Sequence, residues 1–194
     1  MNQKREKLEE QMAVWTKGDI CIAFSGGVDS SLLLYLAVRA AAKHGSKVYA
    51  VTFQTKLHPQ ADLAVAKAVA EDAKAEHVIL EVDEFEKEEI LKNPVNRCYL
   101  CKYYLFMKLL EFASEKRISV VLEGSNQDDL GVYRPGLQAV KELGILSPLA
   151  MFQITKKEVR EMAEDLGIPV SDRPSAPCLA TRLPYGDRIE KEVL

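Results

Sequence analysis

The chain of 194 residues lacks three features that would tie it to a membrane, to secretion or to a nucleic-acid backbone. No apolar run reaches the roughly 18 residues that a membrane-spanning helix needs. Residues 1–10 are polar and highly charged, so they cannot form the apolar centre of a secretion signal. The net charge of −3 gives no general basic footprint for a polyanion such as tRNA. These absences favour a cytoplasmic protein with no membrane partner, and they disfavour tRNA as a partner.

Cysteine and histidine are both scarce, with four and three residues respectively. In a chain expected in the cytoplasm, four cysteines point to metal binding, redox chemistry or buried thiols before disulfides. Cys21 lies inside an apolar run, and we interpret it as an inert buried thiol. The histidines carry no recognisable motif, and we expect all three at the periphery of any site: His44, His58 and His77.

Short apolar runs alternate with amphipathic stretches, and this pattern predicts an α/β fold. The predicted strands are residues 19–24, 48–53, 77–82 and 118–122. The predicted helices are residues 1–17, 32–42, 60–74 and 98–116, with a further helix opened by a capping box at 155–158. Such alternation implies a doubly wound parallel sheet with helices on both faces, where ligands bind at the carboxyl ends of the strands. The stretch 126–136 has no clean period and is predicted to be a loop.

The most informative segment is Phe24–Ser31, which reads FSGGVDSS and lies between a predicted strand and a predicted helix. Its adjacent glycines allow positive φ angles and let backbone N–H groups approach an anion closely. Ser30 and Ser31 add hydroxyl donors where a helix dipole also favours negative charge. Asp29 could cap the helix or help to hold Mg²⁺. The pattern is neither GxxxxGK[ST] nor GxGxxG, and two glycines alone would indicate only a capped turn.

This octet closely resembles the pyrophosphatase loop of the PP-loop (N-type) ATP pyrophosphatases. Enzymes of that superfamily adenylate an oxygen of their substrate, release pyrophosphate and let a nucleophile displace AMP. The resemblance implies an adenine nucleotide alpha hydrolase-like fold, ATP and Mg²⁺, and catalytic roles for Asp29 and Ser30. For Thr52 and Phe53, packing within a strand is an equal alternative. The nucleotide-binding residues that the resemblance implies are Ala23, Ser25, Gly26, Gly27, Val28, Asp29, Ser30, Ser31, Thr52, Phe53, Gly124 and Asn126.

Three further segments narrow the resemblance to LarE-type sulfur transferases, which build the nickel-pincer nucleotide cofactor of lactate racemase. They are NRCYLCK at 96–102, EGSNQDDL with YRPG at 123–136, and RPSAPCLATR at 173–182. LarE-type enzymes adenylate a carboxylate of a pyridinium dicarboxylate mononucleotide and convert it to a thiocarboxylate. The resemblance therefore implies a small-molecule nucleotide substrate, and it implies a homo-oligomer because LarE relatives self-assemble.

The cysteines distinguish this chain within that family. Cys178 matches the cysteine that delivers sulfur, so the resemblance implies a catalytic role for it. Together, Cys98, Cys101 and Cys178 resemble the subgroup in which three cysteines hold a [4Fe–4S] cluster that carries an extra sulfide. The residues alone leave other interpretations open, because a CxxC pair can also bind zinc or be redox-active. A helical stripe that could be plain core comprises Cys98, Cys101, Leu105, Leu109 and Phe112.

Three arginines and one aspartate are candidates for binding the substrate. A guanidinium group binds phosphate or carboxylate in bidentate fashion, although a single arginine is more often a solvated surface residue. A carboxylate could orient a ribose or Mg²⁺, and a capped loop is an equal alternative. The candidates are Arg97, Asp128, Arg134 and Arg182.

The chain stops inside a further predicted helix over 187–194. LarE-type chains usually continue into a smaller C-terminal region, so we predict a PP-loop domain over 1–180 and the truncated start of that region over 181–194. The expected activity is that of an ATP-dependent, pyrophosphate-releasing sulfurtransferase. Two alternatives stay open: a tRNA-thiolating PP-loop enzyme, and a nucleotide-binding domain with structural zinc.

Overall fold

A computed structural model describes residues 2–174 and 177–193. Helices and strands follow one another as α1 (Asn2–Trp15), β1 (Ile20–Ala23), α2 (Val28–Ala41), β2 (Val48–Gln54), α3 (Gln60–Asp72), β3 (Glu76–Glu81), α4 (Glu88–Leu91), α5 (Arg97–Glu115), β4 (Val120–Leu122), α6 (Gly136–Glu142), α7 (Pro148–Met151) and α8 (Lys156–Asp165). Short 3-10 helices cover Glu84–Glu86, Gln127–Gly131, Leu179–Arg182 and Lys191–Val193. Over the described ranges, no helix combines the length and the apolar character needed to cross a membrane.

The four strands form one parallel sheet in the order β3-β2-β1-β4. Ile20 at the start of β1 pairs with Val48 of β2 on one side and with Val120 of β4 on the other. The chain leaves β1 toward β2 and β3, and it later reaches β4 on the opposite side of β1. A crevice therefore opens between the loops that follow β1 and β4, which is where ligands bind in sheets of this kind.

Helices cover both faces of the sheet. Successive side chains of a strand point to opposite faces, and the apolar ones on each face pack against helices. Ile20 and Ile22 pack into a core with α1, α2, α3 and α8. Cys21 and Val51 point the other way, into a second core with α5 and α6. The predicted fold class, a parallel sheet with helices on both faces, is therefore confirmed.

Two local predictions are wrong. The stretch 126–136 is not a plain loop, because Asn126 and Asp129 form a capping box that opens the 3-10 helix Gln127–Gly131. The short helix has no 3.6-residue period to detect, and its box ends in Asp rather than the usual Glu or Gln. The second wrong prediction is the helix over 187–194, where the described residues contain only the 3-10 helix Lys191–Val193, and Leu194 lies outside them. Ile189 is buried and donates its backbone N–H to Leu91 O at 2.8 Å, so a tertiary contact replaces helical bonding there.

Substituting alanine at Gly26 and at Gly45 tests how tightly the loop after β1 is packed. Both glycines have positive φ, +71° and +69°, so alanine strains each backbone by about 1–2 kcal/mol. A Cβ at Gly26 would also lie 2.9 Å from the backbone N and Cα of Ala66 in α3, whereas nothing lies within 4 Å of one at Gly45. We expect Gly26→Ala to lower the free energy of unfolding in urea clearly more than Gly45→Ala does. Equal losses would show that the loop after β1 relaxes away from α3.

Candidate active site

A cavity of about 720 Å³ lies at the carboxyl ends of β1, β2 and β4. Many of the predicted site residues line it: Ala23, Ser25, Asp29, Ser30, Thr52, Phe53, Arg97, Cys98, Cys101, Gly124, Arg134 and Cys178. Among the described residues, seven predicted ones stay outside its wall: Gly26, Gly27, Val28, Ser31, Asn126, Asp128 and Arg182. The structure therefore brings seven of the twelve nucleotide candidates and all three cysteines to one cavity wall, whereas five nucleotide candidates and two substrate candidates lie outside it.

The loop between β1 and α2 is held in shape by its own serines. Ser30 donates its hydroxyl to Gly27 O at 3.1 Å, and its Oγ lies 3.2 Å from Ser25 Oγ. Gly27 is the N-cap residue of α2, and it donates its backbone N–H to Ser25 Oγ at 3.3 Å. The first N–H groups of a helix have no acceptor within the helix. The loop can therefore offer these N–H groups as hydrogen-bond donors to an anion at the positive end of α2. Ser31 Oγ is buried without a hydrogen-bond partner among the described residues.

Asp29 joins this loop to two distant parts of the chain. Its Oδ1 accepts a hydrogen bond from Asn126 Nδ2 at 3.0 Å, and its Oδ2 forms an ion pair with Lys156 Nζ. Asp128 accepts from the backbone N–H of Lys156 at 2.8 Å, which fixes the start of α8 beside the loop. Sequence reasoning treated Lys156 only as part of a capping box. Its pairing with Asp29 was missed because nothing local links two residues so far apart along the chain.

A second pair missed by sequence reasoning is Lys102 with Glu123, and both residues line the cavity. Lys102 Nζ lies 3.2 Å from Glu123 Oε2, and the Glu123 carboxylate accepts further bonds from Ser125 and Ser147. Burial alone would raise the pKa of Glu123, but the Lys102 charge and these donors hold that pKa below its ordinary value. The site therefore contains a buried carboxylate with a lysine ammonium beside it. Lys102 ends the segment 96–102 and Glu123 begins the segment 123–136, both of which resemble LarE-type sequences. That resemblance was the feature of the sequence that could have pointed to them.

The three cysteines approach the cavity from two segments. Cys98 and Cys101 lie in the first turn of α5, and Cys178 directly precedes the 3-10 helix Leu179–Arg182. Cys98 is exposed, so the helical stripe is not plain core at that position, while Cys101 and Cys178 are half-buried. Burial raises the pKa of the Cys101 thiol strongly, with a smaller contribution from the charge of Glu84. Burial also raises the pKa of Cys178, and that of Cys21 to about 12.

Cysteine sulfur suits iron–sulfur clusters, and three thiols on one cavity wall match the donor set that the sequence predicts. Over residues 2–174 and 177–193, no three His, Cys, Asp or Glu side chains converge to hold a single metal ion. Ligands of a cluster bind different irons and need not converge on one point, so the donor set remains compatible with a cluster.

The four candidate substrate residues have different surroundings. Arg97 is 2% exposed and donates to Ala180 O at 3.0 Å, and Arg134 forms an ion pair with Asp129 at 3.0 Å. Asp128 and Arg182 are exposed. Of the four, Arg134 combines an exposed guanidinium with a place in the cavity wall, which suits a ligand's phosphate or carboxylate.

The end of β2 contributes a mixed polar and aromatic wall. Thr52 Oγ1 lies 2.9 Å from His77 Nε2, and Phe53 stacks on Phe106 with ring centroids 6.1 Å apart. His58 lines the cavity, with Nδ1 2.8 Å from Thr55 Oγ1, so the expectation that it is peripheral is wrong. Burial lowers the pKa of both His58 and His77, which favours neutral imidazoles there.

Comparison with known proteins adds a family and several relatives. The sequence model of the PP-loop domain family matches residues 1–133. An uncharacterized protein of Synechocystis sp. is 41% identical over 173 residues, covering 89% of this chain and 63% of that protein. Pyridinium-3,5-bisthiocarboxylic acid mononucleotide synthase of Lactiplantibacillus plantarum is 29% identical, covering 86% of this chain and 60% of the enzyme. The chain thus spans less than two thirds of the length of these relatives.

A solved structure has the same fold. It is that of the U34-tRNA thiolase NcsA from Methanococcus maripaludis with its [4Fe-4S] cluster, with a TM-score of 0.69 and 20% identity. The match covers 94% of this chain and 71% of the thiolase chain.

Thiol alkylation in the native protein tests the surroundings of the cysteines. Because the thiolate is the reactive form, a raised pKa slows alkylation at neutral pH. At about pH 8 we expect Cys98 to react first and Cys21 and Cys101 last, with the lag of Cys101 and Cys178 shrinking as the pH rises. Pulse alkylation followed by peptide mass spectrometry measures the order. In urea all four should react alike, and native Cys101 reacting faster than Cys98 would contradict the packing of α5.

Proposed function

This chain belongs to the PP-loop domain family of ATP-dependent enzymes, and we propose that it is an ATP-dependent sulfur transferase acting on a carboxylate of a small pyridinium nucleotide. The observation that carries the proposal is that Cys98, Cys101 and Cys178 line the same cavity as the loop before α2. Such a reaction needs a loop that binds the phosphates of ATP and a source of sulfur close to it, and the three cysteines lie on the same cavity wall as that loop. The similarity to the Lactiplantibacillus plantarum synthase supports the class of substrate.

In the first step, a carboxylate oxygen of the substrate attacks the α-phosphorus of ATP. The bond between the α-phosphorus and its bridging oxygen breaks, pyrophosphate leaves, and an acyl adenylate remains. The loop over 24–31 offers the leaving pyrophosphate the free N–H groups and the dipole of α2. Ser25 and Ser30 keep the loop in this shape through their mutual contact.

Lys156 and Asp29 are suited to the same step. The Lys156 ammonium lies against Asp29 and can neutralise phosphate oxygens that enter the loop. Mg²⁺ usually takes one or two carboxylates together with substrate phosphates, so Asp29 fits as its protein ligand. With Asp29 holding the ion, the Lys156 ammonium would be available to neutralise the phosphates.

Two cations on the cavity wall suit the acceptor. Lys102 follows Cys101 in the chain and pairs with Glu123, and Arg134 offers its exposed guanidinium at the cavity wall. Together they can hold a carboxylate and a phosphate of one small anionic nucleotide. The net charge of −3 does not favour a large polyanion over such a molecule.

In the second step, a hydrosulfide attacks the acyl carbon, the acyl C–O bond to AMP breaks, and a thiocarboxylate forms. A [4Fe–4S] cluster, when held by Cys98, Cys101 and Cys178, would supply that sulfur as a sulfide. The protein's own contribution is to keep the three thiols on the wall that the acyl group faces and to shield Cys101 from water.

The choice of acceptor is tested by pyrophosphate release. We expect release to rise when a pyridinium dicarboxylate mononucleotide is added with ATP and Mg²⁺, because Lys102 and Arg134 can hold its anionic groups. Bulk tRNA serves as the competing acceptor. Stimulation by tRNA alone would replace this proposal with that of a tRNA-thiolating enzyme.

The division between the two steps is tested by variants. We expect Asp29→Ala to lower ATP–pyrophosphate exchange by about 10²-fold, because it removes the carboxylate that organises the loop. Cys178→Ala should keep exchange measurable and abolish thiocarboxylate formation. Cys21→Ala is the matched cysteine control, since that thiol lies in β1 away from the cavity, and it should leave both exchange and thiocarboxylate formation unchanged. Loss of exchange in a folded Cys178→Ala protein would give Cys178 another role.

A further inference from the structure

Arg97 was predicted to bind substrate, yet its surroundings point to a different task. It is the first residue of α5 and only 2% exposed. Its Nη1 donates to Ala180 O at 3.0 Å and to Asn93 Oδ1, and its Nη2 lies 3.9 Å from Cys98 Sγ. A guanidinium stays charged inside a protein, so its burial is tolerated only where several acceptors surround it. These contacts connect Arg97 to Cys98 in α5, to Ala180 in the segment that follows Cys178, and to Asn93 before α5.

Asn93 accepts a hydrogen bond from this guanidinium through its side-chain oxygen. It is fully buried, and its φ of +50° lies in the left-handed region, which asparagine adopts more readily than most residues other than glycine. Its Nδ2 donates to Pro184 O at 2.8 Å, and its own carbonyl accepts the backbone N–H of Gly186 at 2.8 Å. Such a backbone conformation persists when the surrounding structure requires it. Asn93 therefore links Arg97 to the stretch of chain that follows Cys178.

The segment after Cys178 depends on a few such bonds for its position. Leu179 donates its backbone N–H to Leu57 O at 2.8 Å, and Ile189 donates to Leu91 O at 2.8 Å. Between these two anchors, the side chains of Arg97 and Asn93 supply the bonds to Ala180 and Pro184. Arg97 lies four residues after Asn93 and immediately before Cys98 in the chain. Its side chain thus lies against Cys98 and is bonded to Ala180, two residues after Cys178.

We infer that Arg97, oriented by Asn93, is a positioning residue that sets the spacing between Cys98 and Cys178, and is not a ligand of the substrate. The inference rests on the proposed function in so far as the cysteines act as one set. The geometry itself belongs to the protein before any cluster or nucleotide binds. It can therefore be tested on the apo-protein, independently of sulfur transfer.

The test is cross-linking of apo-protein thiols with dibromobimane, a short bifunctional reagent, read by peptide mass spectrometry. The informative product joins Cys178 to Cys98 or Cys101, and the Cys98–Cys101 product within one helical turn is the internal control. We expect Arg97→Lys and Asn93→Gly each to lower the Cys178 products by about tenfold, because a bond to a charged group is lost. The Cys98–Cys101 product should stay at the wild-type level. Glycine accepts the φ of Asn93 without strain, so this variant removes only side-chain bonds.

Arg188→Lys is the matched control. Arg188 also joins the C-terminal segment to α4, through an exposed ion pair with Glu88, and it touches no cysteine. It should leave every cross-link unchanged. Iron retained per chain after anaerobic reconstitution provides a second readout and should fall in Arg97→Lys and Asn93→Gly alone.

The outcomes separate this inference from the proposed function. Wild-type yields of the Cys178 products in both variants, together with a raised KM for the acceptor in Arg97→Lys, would overturn it and restore Arg97 as a substrate ligand. If Arg97→Lys fails to fold, as the loss of a cooperative unfolding transition in urea would reveal, Asn93→Gly decides the question. A wild-type protein without sulfur transfer but with the expected cross-links would refute the proposed function and leave the positioning role standing.

Discussion

The contact between the loop after β1 and the loop after β4 is the constraint on which the rest of the site depends. A Cβ at Gly124 would lie 3.0 Å from the backbone N of Ser30, so a side chain at this position would push the two loops apart. Asn126 then reaches Asp29 at 3.0 Å across the same gap. Because β1 and β4 are adjacent in the sheet, this contact fixes the two loops against each other at the carboxyl ends of the strands, where the cavity lies.

Charge at this crevice is arranged in pairs that a bound ligand can rearrange. Asp29 is paired with Lys156, Glu123 with Lys102, and Asp129 with Arg134. Each pair holds a cation at or near the cavity while the protein stays close to neutral there. Partly buried pairs of this kind contribute little net stability, because desolvation offsets most of their attraction. Their value for an anionic nucleotide is that the cations are already in place and the binding step need not order them.

The cysteine side of the cavity follows a different principle. Two of its thiols lie on a helix and one lies on a segment with little regular structure, so their mutual position cannot come from a single element. Buried polar bonds from Arg97 and Asn93, and backbone bonds to Leu57 and Leu91, supply what secondary structure does not. The proposed cluster-binding role of the three cysteines requires a fixed spacing, and directional bonds of this kind can supply it because hydrophobic packing alone has no direction.

What the sequence determined by itself is the local part of this protein. The apolar runs gave the strands, the paired glycines and serines gave the loop before α2, and Thr155 with Glu158 gave the start of α8, because each depends on residues within a few positions of one another. The placement of Asp29 beside Lys156, of Lys102 beside Glu123, of His58 in the cavity wall and of Arg97 between two cysteine segments was decided by the tertiary structure alone. Hydrogen bonds and ion pairs between distant residues leave no periodic pattern in a sequence, since either partner could serve many others until the sheet brings one of them within reach.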